Sequence, residues 1–158
     1  MSLRIGIITC SDTRTEEQDT AGQAVSALSV EREWQVVSYR LCSDDRELIA
    51  AAIRRMADCD RADVILTLGG TGFGPRDVTP EATMDVAHRL APGIAEYIRA
   101  ESVKVTRRAM LSRGIAALRD TTLIINLPGS EKAAREGFEF VADQLEHAAD
   151  MMAGGGHG

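Results

Sequence analysis

The chain has 158 residues, 44% of them hydrophobic and 27% charged. That length fits one domain burying roughly 70% of the surface its unfolded chain would expose, and the composition excludes the disordered and fibrous classes. The formal net charge is −6, with no basic run, which argues against nucleic acid and against a membrane surface as partners, so an anionic ligand must be held by local donors.

Arg4 to Cys10 (RIGIITC) is a short apolar, β-branched run and reads as a buried strand. The polar stretch SDTRTEEQDT after it reads as a loop. Thr20 and Gln23 stand at capping-box spacing, so a helix is expected from Thr20, with Ala24, Val25 and Leu28 on its apolar face. Trp34 to Leu41 alternates as a second strand. Asp44 and Glu47 repeat the capping-box spacing before Ile49, Ala52, Ile53 and Met56, which recur at helical intervals. Asp63 to Leu68 is a third strand. A glycine-rich loop follows, and then a helix with Thr79 as N-cap and Pro80 as its first residue. Pro92-Gly93 breaks the chain before a helix over Ile94 to Val103. Arg107 to Arg113 reads as a short helix and Ile115 to Leu118 as an edge strand. Thr122 to Leu127 is a buried strand, and Pro128-Gly129-Ser130 ends it and caps the last helix. Strands alternating with helices imply a three-layer α/β/α sandwich on a mostly parallel sheet, with an antiparallel edge strand. We expect a single domain over 1–153 and a disordered glycine-rich tail over 154–158.

Cys10, Cys42 and Cys59 lack metal-ligand or redox spacing, and an odd count argues against a disulfide framework. They read as buried thiols in a reducing cytoplasm. His88, His147 and His157 lack ligand spacing too. The opening Met-Ser-Leu-Arg-Ile lacks a charged segment or cleavage site, so no signal peptide is expected, and no apolar stretch approaches the ~20 residues of a membrane span.

In a parallel sheet, ligands sit beyond the carboxyl ends of the strands. Ser11-Asp12, Ser43-Asp44-Asp45, the loop Gly69 to Glu81 (GGTGFGPRDVTPE) and Pro128-Gly129-Ser130 all fall there. Gly69, Gly70, Gly72 and Gly74 let backbone N–H groups approach an anion, and the following helix adds its positive end. The loop lacks the Gly-Lys-Ser/Thr of a P-loop, and Pro75 stands where a dinucleotide fingerprint needs glycine. Arg76 can grip phosphate with two donors, and Asp77 offers a hard oxygen of the kind that holds Mg²⁺ beside substrate phosphates. The plainer readings are an Arg76–Asp77 ion pair, Asp44 as a helix cap, Asp12 and Asp19 as turn or cap residues, and Ser130 as a cap. Lys132, in the first turn of the last helix, opposes the helix dipole and suggests a use other than stability.

Leu66 to Thr83 (LTLGGTGFGPRDVTPEAT) closely resembles the signature of the molybdenum-cofactor biosynthesis family of MogA/MoaB-type molybdopterin adenylyltransferases and gephyrin G domains. Thr9-Cys10-Ser11-Asp12, Asp44, Ala109 to Arg113 (AMLSR) and Thr122 to Gly129 fit the same family, so the resemblance spans about residues 4 to 150. It implies that AMP passes from Mg-ATP to the phosphate of molybdopterin, leaving pyrophosphate. It further implies Asp44 and Asp77 as the essential carboxylates holding Mg²⁺, and Arg76 offsetting charge near the leaving group. Ser11, Asp12, Gly69, Gly70, Thr71, Gly72, Thr79, Glu81, Pro128, Gly129, Ser130 and Lys132 would contact the substrates. The family implies a homo-trimer, with hexamers in some relatives, and a separate molybdenum-insertion protein as partner. The chain departs from the family at Ala21, where a serine is usual, and at Ala116-Ala117, where Ala-Gly is. The competing reading is a non-catalytic relative that binds molybdopterin or serves assembly.

Overall fold

The structure, a computed structural model, describes residues 2–155. Its six strands are β1 (Arg4–Cys10), β2 (Gln35–Cys42), β3 (Val64–Leu68), β4 (Arg89–Leu90), β5 (Ala116–Arg119) and β6 (Thr122–Leu127). The five α-helices are α1 (Thr20–Glu31), α2 (Arg46–Asp58), α3 (Thr79–Val86), α4 (Pro92–Ser102) and α5 (Glu131–Met152). Short 3₁₀ turns cover Glu16–Gln18 and Arg107–Leu111. The sheet order is β2-β1-β3-β6-β5-β4. The first four strands pair in parallel and the last two antiparallel.

The period of two along each strand divides the core. Ile5 and Ile7 of β1, Val64, Leu66 and Leu68 of β3, and Leu123, Ile125 and Leu127 of β6 pack with α1, α4 and α5 on one face. Ile8, Cys10, Ile65 and Ile124 pack with α2 and α3 on the other. Helices therefore cover both faces, as a buried parallel sheet requires. On the α3 face the alternation places Thr67 and Asn126 inside. The Asn126 amide donates to Thr67 Oγ1 (2.9 Å) and Thr83 Oγ1 (3.0 Å), and its Oδ1 accepts from the Ile115 amide (3.1 Å). These buried polar groups are thus paired, and they tie α3 to the sheet.

Several local expectations are corrected. Asp19, not Thr20, caps α1: its carboxylate accepts from the Gly22 amide at 3.0 Å and from the Thr9 hydroxyl at 2.7 Å, and the Tyr39 hydroxyl donates to it as well. A longer capping side chain one residue earlier also reaches β1 and β2, which a threonine could not. Asp45, not Asp44, caps α2, accepting from the Leu48 amide at 2.9 Å, because Asp44 is still held in the preceding loop by its own amide bond to Asp12. Thr79 is the first residue of α3 and Val78 its N-cap; the Thr79 amide donates to the Gly70 carbonyl at 3.1 Å, which draws the residue into the helix. β5 is not the edge strand. The two-residue β4 lies outside it, pairing Arg89 with Leu118 and Leu90 with Ala117, and is too short to show a period in sequence. Cys59 is exposed and Cys42 half-buried; only Cys10 is a buried thiol, and burial pushes it up to about 12. In the tail, the amides of Gly154 and Gly155 bond back to Met151 and Asp150; positions 156–158 of the expected disordered tail lie outside the described residues.

Candidate active site

The order β2-β1-β3 makes a switch point: after β1 the chain turns to one side to form β2, then returns to the other to form β3. A crevice opens between the carboxyl ends of strands at such a point. The loops after β1 and β3 bound it, with those after β2 and β6 beside them. Gly69, with φ +96°, makes the tight exit from β3. Its amide donates to the Leu127 carbonyl at 3.0 Å, and a Cβ there would meet the Cys10 carbonyl at 2.8 Å. Three strand ends thus converge on a residue that has to be glycine.

Gly70 is also left-handed, with φ +70°. A Cβ there would lie 2.2 Å from Thr79 Oγ1 and 3.4 Å from Asp44 Oδ1. Those same two atoms are the buried side-chain oxygens left without a hydrogen-bond partner among the described residues. Thr79 is wholly buried. Buried polar groups are seldom left unmatched, and a binding site is one place where they are. Beyond Gly70, the amides of Thr71, Gly72 and Phe73 and that of Gly70 itself find no acceptor among the described residues. A run of four successive free N–H groups is what an anion-binding loop requires. The Gly74 amide is spent on Asp77 Oδ2 at 2.9 Å.

The carboxylates differ in their surroundings. Asp12 receives Nε and Nη2 of Arg76 at 3.0 and 2.9 Å and the Asp44 amide at 2.9 Å, and the hydrogen-bonded guanidinium holds it below the usual range. Asp44 is raised, first by burial and then by the charges of Asp12 and Asp77. Three acidic groups therefore share one field with a single guanidinium bound to one of them. Asp44 Oδ1, the Thr79 hydroxyl and Asp77 are hard oxygens suited to a small divalent ion. Among the described residues no cluster of three or more ligating side chains is preformed, so such an ion would complete its shell with phosphate and water.

The remaining expected residues divide. Ser11 turns its hydroxyl back on its own loop, accepting from Thr13 and Arg14 amides at 3.3 and 3.1 Å. Ser130 caps α5 through the Ala133 amide at 3.3 Å. Gly129 packs against Gly69, where a Cβ would come within 3.1 Å of Gly69 Cα, so Pro128-Gly129-Ser130 does border the glycine loop. Glu81 is engaged by Arg113, with Oε2 at 2.6 Å from Nη1. Lys132 is exposed and lies 4.0 Å from Glu136; it is not drawn into the carboxylate cluster. Two residues gained importance that composition and spacing did not assign. Arg14 Nη1 donates to the Gly129 carbonyl at 2.9 Å, bridging the loops after β1 and β6. Arg113 binds the glycine loop from behind, and the AMLSR segment was its sole trace in the sequence. Beside Thr71, Gly72 and Pro128 a cavity of about 300 Å³ opens toward α4 and the second 3₁₀ turn, with Arg99, Arg108 and Ser112 among its lining.

Free loop amides and an unpartnered carboxylate oxygen at the switch point of an α/β sheet suit the class of proteins that handle phosphate groups. The sequence matches the family described as the probable molybdopterin binding domain over residues 6–147, and the chain belongs to that family. It is 35% identical to the molybdopterin adenylyltransferase of Helicobacter pylori strain J99, over 97% of this chain and 89% of that protein. It is 41% identical to the molybdenum cofactor synthesis protein cinnamon of Drosophila melanogaster; there it covers 96% of this chain and spans 26% of the longer protein. The crystal structure of the molybdopterin biosynthesis enzyme MoaB from Thermus thermophilus superimposes with a TM-score of 0.89 at 44% identity, covering 96% of this chain and 97% of that one. The fold expectation, a mostly parallel three-layer sandwich with an antiparallel margin, holds.

Proposed function

We propose that this chain transfers AMP from Mg-ATP to the phosphate of molybdopterin, giving adenylyl-molybdopterin and pyrophosphate. The observation that carries the reading is the run of free amides from Gly70 to Phe73 beside the unpartnered Asp44 oxygen. A phosphate oxygen of molybdopterin attacks the α-phosphorus of ATP, one P–O bond forms, and the bond to pyrophosphate breaks. Such transfer needs positioning and charge neutralisation more than covalent help from protein. The amides of Gly70 to Phe73 hold phosphate oxygens. Asp44 and Asp77 hold Mg²⁺, which when bound offsets the phosphate charge. Arg76 keeps Asp12 ionised and in place, with Nη1 left to face the leaving group. The cavity beside Thr71 and Pro128 takes the flat pterin, and Arg99 and Arg108 supply charge at its wall.

The same reading has the chain act in the cytoplasm as a homo-oligomer, a trimer before a hexamer, and pass its product to a separate molybdenum-inserting protein. No helix among the described residues is long and apolar enough to cross a membrane. Incubation with molybdopterin, Mg²⁺ and α-labelled ATP tests the reading. Labelled adenylyl-pterin with one pyrophosphate per transfer is expected. Tight pterin binding without either product would overturn catalysis and leave a non-catalytic binding relative.

A further inference from the structure

Arg113 lies between the second 3₁₀ turn and β5, outside the crevice, yet more of its bonds run to the glycine loop than to any other segment. Its backbone amide donates to the Thr71 carbonyl at 2.7 Å. Its Nε donates to the Gly72 carbonyl at 2.8 Å, and its Nη2 to the Asp77 carbonyl at 2.7 Å. Both terminal nitrogens reach Glu81, at 2.6 and 3.3 Å. The planar fork of a guanidinium can meet a carboxylate and two carbonyls at once, whereas an ammonium is a single point of donors.

The peptide plane decides what this does. In a trans peptide the C=O and the following N–H point in opposite directions. Drawing the carbonyls of Thr71 and Gly72 toward Arg113 therefore turns the amides of Gly72 and Phe73 away from it. Those two amides are half of the free run from Gly70 to Phe73. Gly72 has no side chain to restrain it, and Phe73 is 71% exposed, so the loop itself offers little to fix these planes. We infer that Arg113 is a positioning residue that sets the direction of the anion-binding amides. Glu81 balances its charge, so Arg113 acts through the backbone and not as a phosphate ligand. The inference rests on the proposed site, but not on which pterin or nucleotide occupies it.

The test uses the full chain and inorganic pyrophosphate, followed by amide chemical shifts. In the parent protein, pyrophosphate should shift the Gly72 and Phe73 amides. R113A should weaken pyrophosphate affinity about tenfold or more and raise KM for ATP more than it lowers kcat; it should broaden the Phe73 amide, whose plane the guanidinium holds, more than the Gly72 amide, whose plane the retained backbone N–H still holds. R113K should fail to restore affinity. A folded R113K or R113A that binds pyrophosphate with parental affinity overturns the inference, as does a parent whose Gly72 and Phe73 amides ignore pyrophosphate. Should R113A not fold, R113K alone decides. Amides that respond in a protein that transfers no AMP would remove the proposed reaction and leave the role of Arg113 standing.

Discussion

Arg76 closes two hydrogen bonds on Asp12, at 3.0 and 2.9 Å, and so fastens the loop after β3 to the loop after β1 across the switch point. Asp12 in turn accepts the amide of Asp44. The guanidinium thus orders one carboxylate, which orders the backbone bearing another. Arg76 is 64% exposed, so its pairing adds little to stability. We expect Arg76→Ala to leave the melting temperature unchanged and to lower AMP transfer by about 10²-fold, the scale of losing one preorganised charge partner. Steady-state rates alongside a thermal melt check both halves.

Asp44→Asn should make the protein more stable and inactive. The Asp44 carboxyl is raised above its ordinary value of 3.8, chiefly by burial. A folded-state value above the unfolded one means that stability falls as pH rises from about that ordinary value through the raised one. The neutral amide escapes this loss. We expect Tm at neutral pH to rise by about 2 °C, since water still screens the half-buried group, while AMP transfer disappears. A lower Tm for the variant would show that the charged oxygen is not a strain on the fold.

Glu81 gives the opposite pH signature. The hydrogen-bonded Arg113 guanidinium holds its carboxyl below the ordinary 4.5. A depressed carboxylate stabilises above its unfolded value, and that contribution fades as pH falls through the folded one. Parental protein should lose more stability below about pH 4.5 than Glu81→Gln does. The difference should stay under about 1 kcal/mol, because the pair is a third exposed. Melting curves from pH 6 down to the acid transition would reveal it.

Gly70→Ala should be among the more damaging single-methyl additions. The left-handed backbone alone costs about 1–2 kcal/mol for a residue with a Cβ. The methyl would also land 2.2 Å from the buried Thr79 oxygen. We expect a loss of about 2–3 kcal/mol, a Tm lower by about 4–10 °C, and no pyrophosphate binding. Retained binding would mean that the cradle lies elsewhere in the loop.

Much of this was legible because parallel strands leave a plain trace. RIGIITC, DVILTL and TLIINL are apolar on both faces and fixed three of the four parallel strands. Their carboxyl ends told which loops would gather. The caps were less legible. Asp44-Asp45 and Asp19-Thr20 each offer two adjacent capping residues, and local spacing cannot choose between them. What chooses is a distant contact: Asp12 holds the Asp44 amide, and Tyr39 and Thr9 hold Asp19. With Asp45 as the cap, Asp44 Oδ1 stays unpartnered at the crevice. Arg113 escaped assignment for a related reason: its work is done 41 residues away at Gly72, and no periodic pattern encodes such a bond.

The parallel strands also decide where β1 begins and where α5 ends. β1 begins at the pole away from the crevice, and α5 starts at the crevice-side Ser130 turn and runs back. Near its far end, Glu146 receives the indole N–H of Trp34, just before β2 begins, at 3.0 Å. Arg4 and Met152 therefore lie on the face remote from the crevice. Polypeptide joined before β1 or after α5 would start on that remote face. In the Drosophila relative the matched segment is 26% of a longer chain, and the same geometry would leave its crevice open to solvent.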